Sequence, residues 1–316
     1  MIFLKKPLII LTGPTAVGKT KLSISLAQAV NGAIISADSM QVYRHMDIGS
    51  AKIRPEEMCG VPHYLIDVLD PSEEFHVVKF VELAHEAMEK IYAAGQIPIV
   101  TGGTGFYIQA LLKEVDFTES RGELPIRKQL EEKAATEEGA AELYRELSEV
   151  DPASAETIHP NNVKRVIRAL EYYHETGQKI SEHNEEQKQK ESPYCSAYFV
   201  LNDERSILYD RIDRRVDQMI CDGLVDEVFR LKEMGYTRDL VSMQGLGYKE
   251  LFPYLAGECT LEEAVYIIKR DTRHFAKRQL TWFRREKDVI WLNKPDFDYD
   301  EEKILSYMLD LSLIHI

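Results

Sequence analysis

Apolar residues fall first into short continuous runs and later into helical stripes. Residues 8–11, 33–35 and 97–101 form compact apolar runs, which predict buried strands. Residues 63–68, 197–201 and 288–292 are read as further strands. Between the early runs, Leu22, Leu26 and Val30 recur at four-residue spacing and predict a helix over 21–30. Val78, Val81, Ala84, Met88 and Ile91 share one face of a helix over 77–92, with Gly95 just past its end. Another helix begins at Gly105. Strand and helix alternate, so the first part of the chain predicts an α/β fold on a parallel sheet.

The pattern breaks after residue 124. Residues 125–189 carry no convincing strand and are charged, Glu-rich and helix-friendly. Helices are predicted over 126–135, 140–147 and 162–176, the last with Val163, Val166, Ile167 and Leu170 as its apolar stripe. A helical stretch between strands reads as an inserted subdomain. The expected division is a core of 1–117 with 191–316 and an insertion of 118–190. Residues 182–191 look the most disordered and are expected to form a mobile loop. Two long helices follow, over 207–233 and 261–285. Residues 311–316 predict no element.

Composition changes the picture in three places. No run reaches the roughly 20 apolar residues of a membrane span, and residues 1–11 show no cleavable signal pattern, so no membrane association is expected. Cys59, Cys195, Cys221 and Cys259 are widely spaced without a CxxC pair. They read as reduced thiols of a cytoplasmic protein, not as zinc ligands or a disulfide frame. The net charge of −14, from 39 Lys+Arg against 53 Asp+Glu, speaks against nucleic acid as a partner. Residues 269–287 run the other way, with eight basic residues against two acidic. There Ile268, Phe275 and Trp282 mark the core face, while Arg270, Arg273, Lys277 and Arg284 fall on another. A solvated face and a nucleic-acid backbone contact are both open, and the local excess favours the second.

The sharpest chemical signal is Gly13-Pro14-Thr15-Ala16-Val17-Gly18-Lys19-Thr20, which fits G-x-x-x-x-G-K-[ST] between a strand and a helix. Backbone N–H groups of such a loop close around phosphate oxygens, and the helix N-terminus adds its positive end. Lys19 would hold a charged oxygen, and the Thr20 hydroxyl could reach a Mg²⁺ ion. The bound phosphate compound stays open, because the apolar run 97–100 ends in Thr101-Gly102-Gly103 and not in the metal-steering Asp of a Walker-type NTPase. Asp38 lies just past a strand, where it can be a general base, a metal's outer partner or a plain turn cap. Thr101–Tyr107 is a second glycine turn after a strand, and Thr104 could donate to a phosphate or bridging oxygen. Arg211, Arg214 and Arg215 alternate with Asp210, Asp213 and Asp217. That is the pattern of a salt-bridged helix face, with a phosphate clamp as the alternative. Ser242–Lys249 is another glycine turn into a helix.

Taken together, GPTAVGKT at 13–20, SADSMQVYRHMDIGSAK at 36–52, PHYLIDVLDP at 62–71, VTGGTGFY at 100–107, HPNNVKRVIRALE at 159–171 and MQGLGYKE at 243–250 resemble the tRNA dimethylallyltransferases in their bacterial form. The resemblance covers nearly the whole chain. It implies a P-loop NTPase-like parallel sheet flanked by helices, with an inserted all-helical subdomain that grips the tRNA anticodon stem-loop. It implies that Gly13, Thr15, Ala16, Val17, Gly18, Lys19, Thr20 and Arg215 hold the diphosphate of dimethylallyl diphosphate, with Mg²⁺ at Thr20. Asp38 would take the proton as N6 of the adenine 3′ of the anticodon attacks the allylic carbon, and Thr104 would steady the reacting groups. The tRNA contacts it implies are Asp38, Ser39, Met40, Gln41, Arg127, Asn161, Asn162, Val163, Lys164, Arg165, Met243, Gln244, Gly245, Leu246, Gly247, Tyr248 and Lys249. With this cysteine spacing, the zinc finger of the eukaryotic relatives is not expected. A monomer is expected. An isopentenyltransferase acting on free adenine nucleotides and a P-loop small-molecule kinase are the rival readings. The helical insertion and basic last helix count against the first, and the missing Walker-type aspartate strand against the second.

Overall fold

A computed structural model of the chain describes residues 5–115 and 125–315. It divides into two compact units, 1–112 with 193–316 and 113–192, so the division falls a few residues outside the expected 118–190.

The larger unit is built on six strands: β1 (Lys6–Thr12), β2 (Gly32–Ala37), β3 (His63–Tyr64), β4 (Ile97–Gly102), β5 (Tyr194–Asn202) and β6 (Ile290–Asn293). Their order is β3-β2-β4-β1-β5-β6, and every pairing is parallel. Adjacent residues of one strand face opposite sides of the sheet. Leu8, Ile10, Ile35 and Val100 enter one core with Phe80, Met88, Ile91 and Ile108. Ile9, Leu11, Ile34 and Ile99 enter the other with Leu22, Leu26, Leu208 and Ile212. Both faces are covered, which is why these strands read as unbroken apolar runs.

The early helices are α1 (Lys19–Ala29), α2 (Val77–Ala93) and α3 (Gly105–Lys113). The smaller unit holds α4 (Pro125–Lys133), α5 (Glu137–Val150), α6 (Pro152–Thr157), α7 (Val163–Thr176) and α8 (Ile180–Gln189). The chain then returns through α9 (Arg205–Cys221), α10 (Leu224–Glu233), α11 (Leu251–Leu255), α12 (Leu261–Phe283) and α13 (Glu301–His315).

Four expectations need correction. The strand expected over 63–68 is two residues long, because Leu65 and Asp67 take positive φ angles of 63° and 55° and leave the extended region. The helix expected over 207–233 is two helices, α9 and α10, parted at Asp222-Gly223. Residues 182–189, expected in a mobile loop, belong to α8. Residues 311–315, for which no element is predicted, end α13, which is anchored by fully buried Ile304 and Met308 at four-residue spacing.

In the smaller unit, Val166, Ile167 and Leu170 of α7 close a core with Leu130 of α4 and Leu143 and Leu147 of α5. Its polar centre is Asp151, which caps α6. The buried carboxylate accepts from Ser154 N–H (3.1 Å) and Oγ (2.6 Å), and from Ser181 N–H (3.0 Å) and Oγ (2.6 Å). Burial pushes this carboxyl up, but the donors from Ser154 and Ser181 together hold it below the usual range.

Candidate active site

Strand register sets the site. Thr12 pairs with Gly102, and Gly102 with Ala37, so β1, β4 and β2 end abreast. The loops leaving them, at Gly13, Gly103 and Asp38, therefore emerge side by side. This is the carboxyl end of a parallel sheet where ligands bind in doubly wound folds. A cavity of about 290 Å³ opens there. Thr15, Ala16, Gly18, Lys19, Thr20, Asp38, Gln41 and Arg215 line it, as do Ser36, Ser50, Ala51, Thr101, Gly102, Gly103, Arg211, Phe275 and Gln279.

The phosphate loop is already ordered around its lysine. Lys19 Nζ donates to Gly13 O (2.9 Å) and Pro14 O (2.8 Å). Burial and the neighbouring Arg215 charge lower its pKa to about 7, against the opposing pull of Asp38. Arg215 reaches the loop from α9 and donates to Thr15 Oγ1 at 3.3 Å. It too is pushed down, by burial, against the pull of Asp38. This arginine therefore lies on the cavity wall and not on a solvated helix face. Gly13 and Val17 are buried behind the loop and shape it without lining the cavity.

Asp38 sits on the cavity wall. Its Oδ1 accepts from Met40 N–H at 2.8 Å and from Gln41 N–H at 3.4 Å, a turn cap. No group among the described residues bonds to Oδ2, so the carboxylate can cap the turn and accept a proton as well. Thr104 is half-buried at the start of α3 and outside the cavity wall, with its N–H on Ala37 O at 3.3 Å. Thr101 lines the cavity instead.

Metal-binding potential is limited. Among the described residues no cluster of three His, Cys, Asp or Glu could hold a metal. The Thr20 hydroxyl at the head of α1 lines the cavity beside the phosphate loop. This donor set fits a hydrated divalent ion that arrives on phosphate oxygens, not one caged by protein.

Two residues that the sequence did not single out organise the site. Gln279 of α12 accepts Thr15 N–H (2.9 Å) and donates to Gly103 O (3.0 Å), so one amide joins two glycine loops. Glu227 of α10 is buried and accepts the N–H groups of Asp47 (3.0 Å), Ile48 (2.8 Å) and Gly49 (3.1 Å) and the Tyr248 hydroxyl (2.7 Å). A Cβ at Gly49 would lie 2.5 Å from the Tyr248 ring. Arg211, one of the three arginines considered as a clamp, also lines the cavity and is anchored to buried Asp203 at 2.7 Å.

The segment 38–41 meets 243–250 where Met40 packs on Gly245. Within that second segment Met243, Gly245, Gly247 and Tyr248 are buried, leaving Gln244, Leu246 and Lys249 with solvent-facing surface. Ser39 is half-buried. In the smaller unit Asn161, Asn162, Lys164 and Arg165 are exposed at the head of α7, with Val163 partly covered. Arg127 is exposed and pairs with Glu131 (3.1 Å) and Glu171 (3.7 Å). The basic stripe of α12 is partly neutralised, with Arg273 on Asp213, Lys269 on Asp217 and Arg270 on Asp271. Of the four stripe residues expected from the sequence, Arg270 and Arg273 are thus paired with carboxylates.

No helix among the described residues is long and apolar enough to cross a membrane. Residues 41–286 match the family model described as IPP transferase, and 6–74 that of isopentenyl transferase. The chain is 65% identical to a tRNA dimethylallyltransferase of Lachnoclostridium phytofermentans over 97% of both chains. It is similar in structure to the tRNA isopentenylpyrophosphate transferase of Bacillus halodurans, with TM-score 0.73 and 45% identity over 99% of this chain and 98% of that one. It also resembles a eukaryotic dimethylallyltransferase captured acting on tRNA, with TM-score 0.78 and 36% identity over 91% of this chain and 74% of that one.

Proposed function

The chain belongs to the IPP transferase family, the tRNA dimethylallyltransferases, and we propose that its cavity performs the transfer with Asp38 as base and the phosphate loop as leaving-group site. The enzyme moves a dimethylallyl group onto N6 of the adenine 3′ of the anticodon in tRNA. The donor is dimethylallyl diphosphate. The N6 lone pair forms a bond to the allylic carbon as the carbon–oxygen bond to diphosphate breaks. That bond's electron pair leaves on the diphosphate, and the N6 proton passes to Asp38 Oδ2.

Lys19, Arg215, the Thr20 hydroxyl and the loop N–H groups stabilise the departing charge, which is the larger electrostatic demand of an allylic transfer. A divalent metal ion, taken to be Mg²⁺ and held at Thr20, neutralises part of that charge when bound. Gln279 keeps the two glycine loops at fixed separation. Thr104, beside Ala37, helps orient the acceptor at the rim. The target adenine must leave its stacked loop to reach the cavity. Segments 38–41 and 243–249 receive it on the larger unit, with Gln244 and Lys249 as the outward groups. Arg127 and residues 161–165 of the smaller unit hold the anticodon stem-loop. The enzyme acts as a monomer in the cytoplasm.

The observation that carries this reading is the placement of Asp38 with Lys19, Thr20 and Arg215 in one cavity whose central strand, β4, ends without a metal-steering carboxylate. The test is label transfer from radiolabelled dimethylallyl diphosphate with Mg²⁺. Acceptors are an anticodon stem-loop with an A-A-A run, its copy with the target adenine changed to guanine, and free AMP. Label in the intact stem-loop alone is the expected result. Label in AMP assigns the free-nucleotide reaction instead, and no label in folded protein refutes the proposal.

A further inference from the structure

One cation at the phosphate loop has no role in this reaction scheme. Lys294 follows β6, two strands from β1, and is 7% exposed. A Cβ built on Gly18 would lie 3.0 Å from Lys294 Nζ, so the ammonium sits at the N-cap of α1. Gly18 also has φ of 101°, so glycine is favoured there by conformation.

No hydrogen bond or ion pair of this ammonium is found among the described residues. The charges around it are already matched to one another: Arg211 pairs with Asp203 at 2.7 Å, and Lys21 with Glu301 at 2.7 Å. Lys294 is thus a buried cation with no hydrogen-bonded counter-ion, and Asp203 and Glu301 attract it only at longer range. A buried unpaired charge is costly, and burial followed by the Arg211 charge pushes its pKa down. The N-terminus of α1, of 11 residues, presents unpaired N–H groups and a positive dipole end at the same point. Lysine and helix end lack the same thing, an anion.

We propose that Lys294 adds a further cation to the phosphate site at the N-terminus of α1, reaching it from the Gly18 side to hold an outlying phosphate group of a diphosphate or polyphosphate. The proposal rests on reading residues 13–20 as a phosphate site. The donor's diphosphate and a nucleoside triphosphate share this chemistry, and the experiment separates them.

Binding of inorganic diphosphate, dimethylallyl diphosphate and ATP is measured by calorimetry on the full chain and on Lys294→Met, Lys294→Arg and Lys294→Gln. A charge-assisted hydrogen bond corresponds to an affinity loss of roughly tenfold or more on its removal. Lys294→Met should weaken both diphosphates about that much, with Lys294→Arg within about threefold of wild type. The melting temperature of the ligand-free Met variant should not fall, since an unpaired buried ammonium has been removed. Weakening of ATP alone keeps the phosphate site and assigns it to a nucleotide. Unchanged affinity for all three in Lys294→Met overturns the proposal, and Lys294→Gln decides on the same arms if the Met variant does not fold. Wild-type protein that binds none of the three removes the phosphate-loop reading itself, a different result from unchanged variants.

Discussion

Polar contacts reach much farther along the chain in the larger unit than in the smaller. Gln279 bonds to Thr15 across 264 positions, Arg215 to Thr15 across 200, and Glu227 to Gly49 across 178. In the smaller unit a side-chain bond from Lys113 to the Lys190 carbonyl spans 77 positions, and those inside the helical core span 30, Asp151 to Ser181, and 28, His174 to Glu146. The cavity is therefore held by contacts that exist only once the whole sheet has formed. The helical unit's core is held by contacts of shorter reach, with the Lys113 bond tying its two ends. A change in the first should disturb chemistry, and a change in the second should disturb only its own stability and what it grips.

The sharpest test of this division is Asp38→Ala. General-base loss predicts a fall in single-turnover rate of about 10²- to 10⁴-fold, with tRNA affinity within a few-fold of wild type. A large loss of tRNA affinity instead would make Asp38 a recognition residue. On the other side of the comparison, Asp151→Ala removes an acceptor from four donors, two of them buried, and should destabilise the helical unit by about 2–3 kcal/mol. Hydrogen exchange should show the loss in α6 and α8, while diphosphate affinity stays unchanged. Lost diphosphate binding would break the separation.

A smaller effect concerns protons. Lys19, with its pKa near 7, must be charged to hold diphosphate. Affinity should be greatest below pH 7 and fall by up to about tenfold per pH unit above it, once the ligand's own ionisation is allowed for. Binding near pH 8 should take up a proton, which calorimetry in buffers of different ionisation enthalpy detects. Without ligand the sign reverses. Between the folded pKa and the unfolded one the unfolded chain binds more protons at this site, so its contribution to stability rises with pH. The smallest expected effect is at the head of α7. Lys164→Ala with Arg165→Ala should weaken tRNA binding a few-fold and flatten the slope of log affinity against log salt by about 1–2, without changing the rate in single turnover.

The same difference in reach decided what could be read from sequence. Strands β1, β2 and β4 announced themselves as apolar runs because both faces of each are buried. The phosphate loop was legible because its residues are consecutive. Gln279 was not, since nothing near it in the chain indicates that the fold sets it between Thr15 and Gly103. Glu227 looked like one more acid on an amphipathic helix, although three successive N–H groups converge on it. The α8 segment was misjudged from composition, because its helix is polar along most of its length. Arg273 read as part of a basic stripe because its partner, Asp213, lies on another helix.

The bond between Glu227, Gly49 and Tyr248 has a consequence for how this enzyme can drift. Any side chain at Gly49 requires the Tyr248 ring to be gone, and a lost Tyr248 hydroxyl leaves Glu227 one donor short. A changed Glu227 in turn strands three N–H groups. Single steps from this arrangement all lead downhill, so viable descendants should alter the three positions jointly or leave them alone. Stretches of chain far apart in the gene would then be inherited as one character.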